Sequence, residues 1–299
     1  MSEAKNDFKH IAVLAFPFAT HAAPLFSLIR RLSTMAPQAK FTFFSTKESN
    51  NKVFSGQARL ENIKPYNVND GLPEDYMISF ENPHEPVGYF LKAAPGNFKQ
   101  AMEVAVQVIG REITCIISDA FFWFGADIAR ELHVPWVPLW TAGPRPLLLH
   151  LETDLVRQKM GGDGVPEDRT IDFLPGFSEI RAADIPKELL YEDAIPEIPA
   201  MLYKMGQMLP RAAAVVSSSW EKLDPDVANQ LRSRLHNFLE VGETMTKDGV
   251  TKAIKLILST GEGEQMRKNV EHLQDLALDA VSNGSSSKNL ETLLEVVTK

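Results

Sequence analysis

With 299 residues, 44% of them hydrophobic and 23% charged, the chain has the composition of a folded globular protein and not of a disordered or collagen-like one. Its 31 Lys and Arg stand against 39 Asp and Glu, a net charge of −8, which leaves no electrostatic footprint for nucleic acid or an anionic membrane. The start, MSEAKNDFKH, has neither the basic beginning nor the apolar core of a signal peptide, and no run of about 18 apolar residues occurs, so a cytoplasmic protein is expected. The single cysteine, Cys115, excludes an internal disulfide and lies in the apolar run ITCIIS without neighbours at metal-ligand spacing, which predicts a packed strand thiol.

His10 to Phe16 is a continuous apolar run of strand length, followed by a Pro-bearing loop and a helical pattern from Pro24 to about Met35. Lys40 to Ser45, Ile113 to Ser118 and Val134 to Leu139 read as further buried strands, with helices at Val87 to Ile109 and Phe122 to Leu132. This alternation predicts an α/β fold built on a doubly wound parallel sheet. Ile198, Leu202, Met205 and Leu209 share one helical face, and a short strand follows at Ala213 to Ser218. Asp224 and Pro225 read as an N-cap and a first turn, opening a helix to about Leu235, and Asn237 to Val241 reads as the last strand. Beyond Gly242 the pattern changes to amphipathic helices, one through Val250, Ile254, Ile257 and Leu258 and a second from Met266 to Ala280. SNGSSSKN breaks the pattern before a short final helix carrying Leu290, Leu293, Leu294 and Val297. The division expected is one Rossmann-like unit over residues 1–242 with a helical tail over 243–299 packed on it.

Ligands of open parallel sheets sit beyond the carboxyl ends of the strands, so polar residues just after apolar runs are the candidates. His21 follows the first strand, Asp119 ends IISD, and Thr141 follows WVPLW. A histidine and an aspartate so placed can form a dyad in which the carboxylate fixes the tautomer and supports the imidazolium. They can equally be a helix-capping histidine and a loop aspartate.

Five blocks decide between these readings: FPFATHAAPL, SDAFFWFGADIA, VPLWTAGP, FLPGFSEIRAADIP and MGQMLPRAAAVVSSSWEKLDP. In this order they resemble the N-terminal half of plant family-1 UDP-glycosyltransferases of the flavonoid (anthocyanidin) 3-O-glucosyltransferase type, from about His10 to Gly242. The resemblance implies a GT-B fold of two Rossmann-like domains, the first for the acceptor and the second for the UDP-sugar. It implies His21 as the general base on the acceptor hydroxyl, Asp119 as its orienting partner, and Thr141 as a contact to the sugar. His84 and His150 match regions that line the acceptor pocket, and Phe18, Phe121, Phe122 and Trp140 are candidates for its apolar wall, with core packing as the alternative.

The sequence also departs from that family. The stretch from about Thr246 is similar to the extreme C-terminal end of the same enzymes and follows Gly242 almost directly. The donor box, which begins WAPQ and contains HCGWNS, is absent, and Trp123, Trp136, Trp140 and Trp220 all belong to the other half. No cofactor or metal is expected. The function expected is binding of a flavonoid-like or other phenolic small molecule without sugar transfer by this chain alone. The alternatives are donor-independent acid/base chemistry by His21 and Asp119, or an inert truncated transferase. A protein partner on the face left by the missing domain is a further expectation.

Overall fold

In this computed structural model the residues described are 8–56, 60–77, 84–161, 166, 168–190, 197–242, 275–282 and 284–298. Seven strands among them form one sheet: β1 (His10–Leu14), β2 (Lys40–Thr46), β3 (Ile63–Val68), β4 (Cys115–Asp119), β5 (Trp136–Trp140), β6 (Val215–Ser217) and β7 (Phe238–Glu240). Every adjacent pair is parallel, and the order is β3-β2-β1-β4-β5-β6-β7. The chain therefore winds outward from β1 to one edge, returns, and winds outward again from β4, so the direction switches between β1 and β4.

The apolar runs are continuous because both faces of the sheet are covered. Along β1, Ala12, Leu14 and Phe16 pack into one core while Ile11, Val13 and Ala15 pack into the other. The first core is filled by α3 (Glu85–Ile109), α4 (Gly125–Leu132), α5 (Pro144–Leu151), α6 (Thr153–Met160), α7 (Lys187–Leu190), α8 (Glu197–Met208) and α9 (Pro225–Arg234). The second is filled by α1 (Ala22–Met35) and the last helix, Ser285–Thr298, with α2 (Lys47–Phe54) at its margin. Cys115 is fully buried in β4 and its thiol pKa is pushed far up by that burial, as a strand thiol requires.

Several expectations change in detail. Strand β3 was not legible: it is an edge strand whose Pro65 removes a donor, and only its two end residues, Ile63 and Val68, are buried. Asp224 precedes α9, yet its side chain makes no capping bond, because the carboxylate is drawn instead to Arg145 at the start of α5. The stretch SSSKN is the opening of the last helix and not a break. Ser286 is buried there and its Oγ accepts from the N–H of Gly242 at 3.2 Å. The helix expected over Val250 to Leu258 lies outside the described residues, and of the second tail helix residues 275–282 are described, as helix.

The last helix is tied to the end of β7 by that serine and by Asn289, whose amide donates to the Glu240 carbonyl at 3.1 Å. The Glu240 side chain is fully buried at the same place, with Arg232 3.2 Å away. Burial pushes its carboxyl up to about 7, an effect that Arg232 offsets only in part. A carboxyl held above its ordinary value binds its proton more tightly in the folded chain than in the unfolded one. The stability it contributes is present at low pH and is lost as pH rises through about 7. Relative to Glu240→Gln, the parent chain should therefore lose melting temperature between about pH 5 and pH 8 in thermal melts, a comparison in which the opposite contributions of the buried histidines His10 and His150 cancel.

Candidate active site

The loop Pro17–Thr20 carries the chain from β1 into α1 and turns back through Ala19, whose φ of +50° is uncommon for a residue other than glycine. His21 then occupies the position before α1 but makes no capping bond with its side chain. Its ring faces the end of β4, and Nδ1 lies 2.8 Å from Oδ2 of Asp119. The two strands that carry these residues are hydrogen-bonded neighbours, with Leu14 opposite Ser118, so the contact follows from strand register at the switch point.

The carboxylate has little freedom. Asp119 is 1% exposed, and its other oxygen, Oδ1, accepts the backbone N–H of Phe121 at 2.9 Å. A carboxylate accepts and does not donate, so the contact with Oδ2 requires the proton of His21 on Nδ1. That leaves the lone pair of the imidazole on Nε2, and the ring remains partly open to solvent. The imidazole stands edge-on to Phe16 at 5.3 Å and lies over Phe121 at 4.4 Å between ring centroids.

From Phe121 a row of rings leads away along the sheet end. Trp140 follows at 6.1 Å, anchored by its indole N–H on the carbonyl of Gly143, and His150 follows at 5.6 Å. His150, on α5, lines a cavity of about 400 Å³ together with Thr153, Arg157, Leu189, Ile198 and Leu202. His84, exposed just before α3, stands on the same cavity, and so does Tyr203, whose ring carries the Arg157 guanidinium at 5.0 Å. Burial lowers the His150 pKa to about 4, so the ring is neutral near neutral pH. Its Nδ1 is buried without a hydrogen-bond partner. An orphaned buried N–H is rarer than an orphaned acceptor, which favours the tautomer with the proton on Nε2.

The remaining candidates are placed elsewhere. Phe122 is fully buried among Phe90, Phe98 and Phe124, so it belongs to the core and not to a cavity wall. Phe18 packs on Phe16 and Phe90 and lines a separate open groove of about 1120 Å³ beside α1 and α2. Neither His21 nor Asp119 lines that groove or the cavity of His150. Thr141 is half-buried just past β5. Ile198 and Leu202, which share a helical face with Met205 and Leu209, are the residues of that face left at the cavity, while Met205 and Leu209 are fully buried. Among the described residues no cluster of His, Cys, Asp and Glu could hold a metal ion, and no helix is long and apolar enough to cross a membrane.

No protein-family model matches the chain. Among curated proteins it is 49% identical over 238 residues to a flavonoid 3-O-glucosyltransferase of Medicago truncatula, covering 79% of this chain and 52% of that protein. An anthocyanidin 3-O-glucosyltransferase of Vitis vinifera is 43% identical over 237 residues, again 52% of its length. Both of these homologues of the chain are plant 3-O-glucosyltransferases of flavonoids or anthocyanidins. The chain spans about half the length of the relatives it matches. Among solved structures, a UDP-glucose:anthocyanidin 3-O-glucosyltransferase in complex with UDP superposes with a TM-score of 0.75 at 34% identity, over 79% of this chain and 53% of the other. A UDP-glucosyltransferase from Polygonum tinctorium shares the fold, with a TM-score of 0.62 at 15% identity over 79% of this chain and 52% of the other. The single parallel sheet is thus shared with plant glycosyltransferases of GT-B fold.

Placing Phe122 in the core has a measurable consequence. Phe122→Ala should destabilise the chain by about 3–5 kcal/mol in urea unfolding, the cost of an empty aromatic site in a close-packed core. A loss below about 1 kcal/mol would return Phe122 to the list of wall residues.

Proposed function

We propose that this chain binds a flavonoid-like or similar phenolic molecule in the cavity lined by His150, and that by itself it does not transfer sugar. The observation that carries the reading is a mainly apolar cavity of about 400 Å³ with the neutral imidazole of His150 in its wall. Such a wall, apolar over most of its area and enclosing a volume within roughly 300–1,000 Å³, suits a flat aromatic ligand of modest polarity. Pro186, Leu189, Ile198, Pro199 and Leu202 supply apolar surface, and His84, His150, Arg157 and Tyr203 supply polar atoms, while the Thr153 hydroxyl is held on the carbonyls of Leu149 and His150. The names of the relatives point to the same ligand class.

Against sugar transfer stands the absence from the sequence of any counterpart to the donor box. Uracil, ribose and diphosphate would lack their contacts, and the developing charge on the leaving group would lack its stabilisation. A second reading, proton transfer on a phenol or enone without a sugar donor, is favoured by one specific feature. His21 is held by Asp119 through Nδ1, and within the described residues Nε2 makes no hydrogen bond and is left to act as base.

The test is incubation of the 299-residue chain with a panel of flavonoids and other plant phenols, with and without UDP-glucose, read by mass spectrometry. Retention of a phenol with no glucoside is the expected result, and glucoside formation would refute the proposal. His150→Ala should weaken the retained ligand by roughly two- to tenfold, the worth of one polar contact. Because His150 stays neutral down to about pH 4, its contribution should be flat across neutral pH in calorimetric titrations.

A further inference from the structure

Behind the His21–Asp119 pair runs a second set of hydrogen bonds that reaches no ligand. The indole N–H of Trp136 donates to Ser118 Oγ at 3.0 Å, and Ser118 Oγ donates to the backbone carbonyl of Asp119 at 2.9 Å. The same carbonyl accepts the N–H of Phe122 at 3.1 Å, and the N–H of Ala120 is held by Leu139 of β5 at 2.9 Å. With its carbonyl held by Ser118 and Phe122 and Oδ1 taken by Phe121, Asp119 has Oδ2 as the acceptor left for His21. Ser118 is fully buried and Trp136 nearly so, so neither donor has water as a substitute partner.

Space for the indole comes from α4. A methyl group at Gly125 would stand 2.7 Å from Trp136 Nε1 and 3.3 Å from two further indole atoms. Glycine costs a helix about 1 kcal/mol relative to alanine, so its place in the first turn of α4 needs a local cause, and the indole supplies one. Trp136 comes from β5, Ser118 and Asp119 from β4, and His21 from the turn after β1, so the line of contacts crosses three adjacent strands.

We propose that Trp136, Ser118 and Gly125 are positioning residues for His21: the Trp136–Ser118 hydrogen bonds lock the backbone of Asp119, and Gly125 is the seat that lets the indole reach them. None of the three touches the imidazole. Their effect passes through the orientation of the Asp119 carboxylate, which sets the tautomer of His21. The inference rests on the reading of His21 as the proton acceptor of the site, and its test uses neither ligand nor turnover.

The measurement is NMR of the full chain labelled with 15N at histidine, with the His21 signals assigned by their loss in His21→Ala. In the parent chain the Nδ1 proton should be slow to exchange and shifted downfield by its carboxylate partner. Trp136→Phe and Gly125→Ala should each move that resonance upfield and speed its exchange with water roughly tenfold or more, as a pair that opens more often would. Ser118→Ala should do the same and also lower stability, because the indole N–H is left buried without a partner. The double variant Ser118→Ala with Trp136→Phe removes both ends of that bond, so stability should recover while the His21 signal does not. Ser118→Cys, which keeps the shape and weakens both bonds, gives the same reading if a larger change prevents folding. A folded variant of any of these pairs with the parent resonance and parent exchange rate overturns the proposal. A His21→Ala chain that keeps the turnover of the parent would instead remove the proton-acceptor reading, with the resonance results unaffected.

Discussion

The parallel pairing of β1 with β4 is the constraint on which the rest of the site depends. Its register places Leu14 opposite Ser118, so the loop leaving β1 and the residue ending β4 emerge side by side where the winding of the sheet reverses. His21 and Asp119 are 98 positions apart in sequence, yet the register of these two strands brings the residue before α1 and the residue ending β4 to a 2.8 Å contact. A rigid sheet end of this kind holds a pair of side chains more firmly than loops can.

The two faces of that sheet divide the work. One face packs on α1 and the last helix through Phe26, Phe41, Phe43, Leu290 and Leu293, and its contribution is stability. The other carries the ring cluster of Phe16, Phe90, Phe98, Phe122 and Phe124, and above it the helices that form the cavity of His150. The row Phe121, Trp140, His150 joins cavity and dyad along one edge of this cluster. Close packing there keeps the row in one arrangement, since displacing any ring means displacing its neighbours.

Much of this was legible in the sequence, and the boundary of legibility has physical causes. Strands β1, β4 and β5 are buried on both faces and read as unbroken apolar runs, so the polar residues that follow them stood out as His21, Asp119 and Thr141. Helix α2 buries only Ser49 and Asn50 and shows no apolar stripe, while β3 lies at an edge and contains a proline, so neither left a periodic signal. Phe121 and Phe122 are adjacent in sequence and diverge in space, one over the imidazole and the other into the core. A pair of neighbouring aromatics carries no mark of which side each will face. The cavity was hidden for a related reason: Ile198 and Leu202 sit on the same helical face as the buried Met205 and Leu209, and spacing alone cannot separate a core position from a cavity wall. The supporting bonds of Ser118 and Trp136 were hidden too, since a serine and a tryptophan inside apolar runs look like ordinary packing.

A crystal structure of this chain soaked with a flavonol tests the central claim most directly. The account predicts aromatic rings against Ile198 and Leu202, a ligand oxygen within hydrogen-bond distance of His150, and the contact between His21 and Asp119 unchanged. A ligand held instead in the open groove beside α1 and α2, with the cavity of His150 empty, would contradict it.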